Sequence, residues 1–363
     1  MKKLISVLLM LCMTFSFAAC GNATDSSSAD TGSGVSGKVT IAIGYQTVTS
    51  QTWGPLIMKN KGFLEEELAA KYPDTEFSID WQNAQSGPPL TNNMIAGKLQ
   101  FAVMGDMPIL TNGEKGQTEQ NYSSVFIGFD GKGKDGMNQA ILIPNESDVT
   151  SVADLAGKEV ATPIGGSAHR MLLLELEKNG VADQVNIVSQ DATVGLSNIE
   201  QNKVAAFSIW EPFASLAEEE GYGKVLVGGE DTGVDYLDGI VADRKWVEEH
   251  EDYTICFLKA LIRSHQFIVE NPEEAAKIFA EETGYSESVC ATIVDKVRFD
   301  TVIYDKDVET LKGSKDFLVE IGSIKDVDLE EFVDDSYLRK AYEELEMTYP
   351  SDEELQGDWL PLE

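Results

Sequence analysis

The chain has 363 residues, and its 62 Asp and Glu outnumber 28 Lys and Arg to give a formal charge of −34. Nothing this acidic holds nucleic acid through its phosphates, because that attachment rests on Lys and Arg displacing counterions. With only three histidines and no Cys-x-x-Cys, a dedicated metal site is not expected.

The chain opens MKKLISVLLMLCMTFSFAACGN. Lys2 and Lys3 precede an apolar run, Leu4 to Phe17, that is short for a bilayer span. Phe17-Ala18-Ala19-Cys20 is similar to a bacterial lipobox, with Phe where Leu is usual. The expectation is a signal peptide over 1–19, lipidation at Cys20 and a Ser/Gly-rich tether over 20–37. The remainder is then extracytoplasmic and held to the cell membrane by its lipid. Cys256 and Cys290 remain after processing, and a disulfide or two buried thiols both suit their apolar helical surroundings.

From residue 38 the pattern alternates strand and helix. KVTIAIGY is a β-branched strand, GPLIMKNKGFLEEELAAKYP a helix closed by Pro73, and EFSIDWQ a strand. A helix starting at Ser86-Gly87-Pro88 ends near Gly97, and FAVMGD is a short buried strand. GKGKDG (131–136) lacks P-loop spacing and reads as a loop. The rhythm resumes with AILIPN, a short helix in SVADLAGK, the strand EVATP, a helix over 167–178, the strand VNIVSQ, a helix in VGLSNIEQNK, the strand VAAFSIW and a helix in EPFASLAEEEG. After LDGIVADRKW the chain is mostly helical, and its acidic end reads as a solvated helical face. This is an α/β chain of two lobes, the second inserted in the first: lobe 1 from 38–137 and 238–363, lobe 2 from 138–237.

PIGGSAHRMLLLELEKNG (163–180) poses the functional question. As an elbow for a nucleophile it fails: Gly165-Gly166-Ser167-Ala168-His169 lacks the final glycine, and Ser167 and His169 would diverge around a helix. As a cradle it works. Ser167 caps the helix, Leu172, Leu173 and Leu176 form its buried stripe, and free backbone N–H groups face outward at the positive end of the dipole. An ordinary capped helix start also fits. A second start of the same kind stands at SGPPL (86–90), so each lobe would present one helix end to a small anion.

Three stretches then carry a resemblance. W-x-x-x-x-SGPPL-x-x-x-M-x-AGKLQFAVMGDMP, SVADLAGKEVATPIGGSAH and VAAFSIWEPF resemble the solute-binding proteins of ABC importers, in the nitrate, sulfonate and taurine (NMT1/THI5-like) group. The resemblance covers about 38 to 270 and is weaker after about 300. It implies a periplasmic-binding type II fold, a two-strand hinge and a cleft that closes on a small anionic solute for delivery to a permease, without chemistry or cofactor. A monomer is expected. The family's pocket segments correspond to Gly44-Tyr45-Gln46, Ser86-Gly87, Gly105-Asp106-Met107, Gly166-Ser167-Ala168-His169 and Trp210-Glu211-Pro212. Ser86, Gly87 and Ser167 would hold the anionic head, and Tyr45 and Trp210 would wall the apolar part. Asp106 or Glu211 would take an ammonium, and His169 would donate to the ligand. For both aromatics core packing is equally open, as is helix capping for the two carboxylates and a structural place on the first helical turn for His169. Other solutes, such as a thiamine-precursor pyrimidine or a small oxoanion, share this fold, as do a desulfinase-type enzyme and a sensor lipoprotein.

Overall fold

The computed structural model describes residues 38–362. The expected signal segment, Cys20 and the tether lie outside the described residues. Eleven strands among the described residues form two sheets. The first joins β1 (Val39–Tyr45), β2 (Phe77–Asn83), β3 (Phe101–Gly105), β4 (Ser124–Gly133), β10 (Tyr236–Asp243) and β11 (Arg298–Phe299) in the order β11-β4-β10-β3-β1-β2. The second joins β5 (Gln139–Pro144), β6 (Glu159–Thr162), β7 (Asn186–Ser189), β8 (Ala206–Trp210) and β9 (Gly223–Gly228) in the order β7-β6-β8-β5-β9. Each sheet has a parallel core, β2-β1-β3 and β7-β6-β8, flanked by antiparallel strands. The chain leaves the first sheet after Gly133 and re-enters it at Tyr236.

Helices cover the sheets: α1 (Gly54–Lys61), α2 (Phe63–Lys71), α3 (Gly87–Ile95), α4 (Asp106–Thr118), α5 (Ser167–Lys178), α6 (Ala192–Glu200), α7 (Phe213–Glu219), α8 (Arg244–Glu249), α9 (Glu251–Glu270), α10 (Pro272–Thr283), α11 (Glu287–Lys296) and α12 (Asp305–Glu320), then shorter helices. The single helix expected from Gly54 is two, because Gly62 stands between them at φ 70, a left-handed turn that glycine adopts without Cβ cost. In α5 the buried stripe is Ala168, Met171, Leu172, Glu175 and Leu176, and Leu173 is only half-buried. The i, i+3, i+4 spacing selects that set.

GKGKDG differs most from its sequence reading. Gly131–Gly133 complete β4, a ten-residue strand buried throughout and paired with β10 and β11. A Cβ at Gly131 would stand 2.5 Å from the Gln51 carbonyl oxygen, so a glycine-rich sequence here serves close packing and not a turn. The acidic C-terminal stretch has a buried apolar side. Tyr337, Leu338, Ala341 and Tyr342 pack into one core with Ile41 and Ile43, while Leu311, Leu318 and Phe332 pack with Phe126 and Leu237 on the other face. A buried side chain of this kind stabilises by about 1.5–3 kcal/mol. Cys256 and Cys290 are both buried free thiols in different cores, and burial pushes each thiol up to about 11. No helix among the described residues is long and apolar enough to cross a membrane.

Candidate functional site

In an open α/β sheet a ligand site lies beyond the carboxyl ends of the strands, where backbone groups and helix starts are not consumed by the sheet. Here those ends bring three helix N-termini together. Gly87 opens α3 against Pro108 of α4, where an added Cβ would come within 2.2 Å of the proline ring. Asp106 opens α4, directly after β3. Its Oδ1 accepts from Ser167 Oγ at 2.7 Å and from the Met107 backbone N–H at 2.8 Å. Its Oδ2 accepts from Ser314 Oγ of α12 at 2.6 Å, and that hydroxyl accepts from Arg170 Nη1 at 2.8 Å. Asp106 is buried, which pushes its carboxyl above the usual range. The two hydroxyl bonds and the Arg170 guanidinium oppose that shift.

Ser167 is therefore not the cap of α5. Gly166 holds the cap position, after a turn in which Gly165 has φ 82, and Ser167 is the first helical residue with its hydroxyl turned to Asp106. The protein's own carboxylate sits at the helix start where an anion was expected. Ser86 does stand at the cap position of α3, but it is exposed and its side chain makes no cap bond. His169 accepts from the Gly165 N–H through Nδ1 at 3.2 Å, with its ring edge-on to Phe317 at 5.6 Å. Burial lowers its pKa, so a neutral ring tying the turn to α5 describes it.

The remaining expected residues divide. Trp210 reaches the site. Its ring lies against Gly166, 3.3 Å from where a Cβ would stand, and Nε1 donates to the Val48 carbonyl at 2.9 Å. Gln46, the residue after the end of β1, is buried, and Met107 is buried in the first turn of α4, next to Asp106. Tyr45 instead packs into the core with Trp53, Ile57 and Phe279, edge-on to Trp81 at 6.2 Å. Glu211 is turned away from the Asp106 group: its carboxylate accepts from Lys296 Nζ at 2.6 Å and from the Ser215 N–H and hydroxyl at 2.9 Å each.

Several residues that the sequence reading did not single out complete the edge. A narrow cavity beside Asp106, Ser167 and Arg170 is also lined by Gln139, Asp235 and Tyr236. Asp238 lies in β10 opposite Gly105, fully buried, and takes one long bond from the Tyr236 hydroxyl to Oδ2 at 3.4 Å. Burial, then the nearby carboxyls of Asp106 and Asp130, push its pKa well above the usual carboxyl range. An acid inside the otherwise apolar run YLDGIVAD was the available signal.

Six buried side-chain atoms among the described residues have no hydrogen-bond partner: Gln46 Oε1, Ser50 Oγ, Asn138 Oδ1, Gln139 Oε1, Thr162 Oγ1 and Asp238 Oδ1. All six belong to this edge. Gln46 follows the end of β1, and Thr162 ends β6. Gln139 pairs with Trp210 at the end of β8, and Asp238 pairs with Gly105 at the end of β3. The Ser50 N–H and the Asn138 carbonyl both bond to the Glu211 backbone. A larger cavity, about 390 Å³, lies in the first-sheet lobe under the C-terminal segment, near His265, Arg298 and Asp300. The polar groups on its wall already have partners, Arg298 with Asp300, His265 with Asp130 behind the wall and Glu354 with Ser351, and it holds none of the six atoms.

Comparison with known proteins agrees with this architecture. The model of the family described as NMT1/THI5 like matches residues 134–275. An aliphatic sulfonates-binding protein of Bacillus subtilis (strain 168) is 29% identical over 309 residues, 84% of this chain and 88% of that protein. The taurine-binding periplasmic protein of Escherichia coli (strain K12) is 24% identical over 239 residues, 65% of this chain and 68% of that protein. The structure of the alkanesulfonate-binding protein SsuA from Xanthomonas axonopodis pv. citri bound to MOPS superposes with a TM-score of 0.68 at 21% identity, covering 81% of this chain and 97% of that one. The chain is similar to these sulfonate- and taurine-binding proteins, and its two α/β lobes have the type II periplasmic-binding fold.

Proposed function

We propose that this chain is the extracytoplasmic solute-binding component of an ABC importer, anchored by a lipid on Cys20, which captures a small solute of the sulfonate and taurine class between its lobes and presents it to a permease. The observation that carries the reading is the gathering of all six unpartnered buried polar atoms at the carboxyl-end edge of the two sheets. A buried polar atom without a partner costs about 1–3 kcal/mol, so a row of them in one place suits a surface that a polar ligand completes. The named relatives support the solute class. Closure then follows from linkage: a solute touching both lobes favours the state in which both touch it. Docking on the permease and the monomeric state belong to the same proposal.

The test is thermal unfolding of the purified protein against alkanesulfonates, taurine, nitrate, sulfate and aminopyrimidines. A ligand at 100 times its Kd adds about 2.7 kcal/mol, several degrees for a chain of this size. A shift with sulfonates supports the class. A shift confined to a heterocycle keeps the binding role and replaces the solute, and no shift across the panel rejects the class.

A further inference from the structure

We infer that the solute presents an N–H-bearing nitrogen, in its simplest form an ammonium, to Asp238 and Asn138, so that this edge selects amine-carrying members of the class over plain sulfonates. The inference rests on the binding role proposed above and deepens it.

Asn138 gives the firmest starting point. An amide can be turned end for end without a visible difference, so its acceptor must be fixed by neighbours. Gln51 Nε2 donates to the Gly131 and Tyr236 carbonyls, which leaves Gln51 Oε1 as the acceptor. Asn138 Nδ2 donates to that oxygen at 2.7 Å. Asn138 Oδ1, buried and unpartnered, is therefore a true acceptor waiting for a donor. Asp238 Oδ1 is the second open atom: a carboxyl oxygen, fully buried, with no partner, which accepts once the acid has given up its proton. Asp238 and Tyr236 are two apart in β10 and share a face, and Tyr236 lines the cavity with Gln139.

The charges point the same way. The basic groups near this edge are already engaged: Arg170 with Ser314, Lys296 with Glu211, and Lys306 with Asp235 and Asp358. Asp106 fills the α5 start and is satisfied on both oxygens, and Glu211 is paired outside the group. Asp235 accepts from the Asp135 N–H and pairs with Lys306, so of the four acids at this edge, Asp106, Glu211, Asp235 and Asp238, Asp238 alone has an open oxygen. The titratable groups facing it are Tyr236 on β10, Asp106 on α4 and Asp130 on β4, the last paired with His265 of α9. Such surroundings store Asp238 as a neutral acid. Docking of an ammonium ionises it: the carboxyl O–H breaks, the proton leaves to solvent, and a carboxylate–ammonium pair remains. A plain sulfonate can at most accept the carboxyl proton of the neutral Asp238; it offers no donor to Asn138 Oδ1, and it cannot form the carboxylate–ammonium pair.

The experiment compares 2-aminoethanesulfonate, 2-hydroxyethanesulfonate and ethanesulfonate by titration calorimetry in buffers of different ionisation enthalpy. Simple alkylamines, amidines and aminopyrimidines form a second series. The amino compound is expected to bind at least tenfold tighter than its two partners, with release of a proton to buffer. Asp238→Asn, whose fold is checked by its thermal midpoint, is expected to lose that preference and the proton release together. Equal binding of the three sulfonates, or a preference retained in Asp238→Asn, overturns the inference and leaves the binding role intact. If no sulfonate binds, the solute class of the previous section falls, and the amine series decides: binding that Asp238→Asn abolishes supports the inference, and no binding overturns it.

Discussion

Lys132 and Asp238 lie on neighbouring strands of the same sheet, both completely buried, and they differ in one respect. Lys132 is fully served. Its ammonium donates to Asp307 Oδ2 at 2.7 Å and to the Val302 carbonyl at 2.6 Å, and lies over the rings of Phe129, Tyr304 and Trp359. Trp359 Nε1 in turn donates to Asp307 Oδ1 at 2.7 Å, so the C-terminal segment is locked onto the cluster. Asp238 has one long bond and an open oxygen. The contrast separates two uses of a buried polar group. A closed set of partners ties distant segments into one lobe, while an unfinished set marks where a solute would supply the missing bonds.

The largest expected break is Lys132→Met. It leaves Asp307 buried without its cation, which costs about 3–5 kcal/mol by chemical denaturation. Gly87→Ala comes next, because the added methyl meets Pro108; a loss of about 1–3 kcal/mol is expected in the same assay, since neither helix start can retreat cheaply.

Asp238→Asn should move the other way. A group whose folded pKa is raised stabilises the fold below its unfolded value, near 4, and that contribution is lost as pH rises through the folded value. Replacing the acid removes the loss. The variant's thermal midpoint should exceed the parent's at pH 7, and the gap should shrink toward pH 4. A gap independent of pH would show that Asp238 is not a stored neutral acid and would level the contrast with Lys132. The smallest effect is at the surface. Lys245 and Glu249 form an exposed pair at 4.0 Å, and Lys245→Ala should change stability by less than about 0.5 kcal/mol.

Much of the fold was legible in the residues. Apolar periodicity is a local property, so the helix at 167–178, the strands around β1, β3 and β8, and the alternation of the two could be read directly. The start of α5, Gly165 to Ser167, was also visible as a helix entry, though its cap was misplaced by one residue. β4 was not read as a strand at all, because the glycines of its second half looked like a loop until Gln51 and β10 were packed against them.

The site was legible only in part. Asp106, Ser167 and Trp210 belong to motifs and were named from them, but their partners were not. Asp106 meets Ser167 across 61 residues and Ser314 across 208, and Asn138 meets Gln51 across 87. No periodicity carries information over such separations. Tyr45 stood in a pocket motif and went to the core, while Asp238 stood in a strand with no motif and reached the edge with an open oxygen. Which side chain faces a lobe's own core and which faces the other lobe depends on how the two sheets meet, and that is a property of the packed chain.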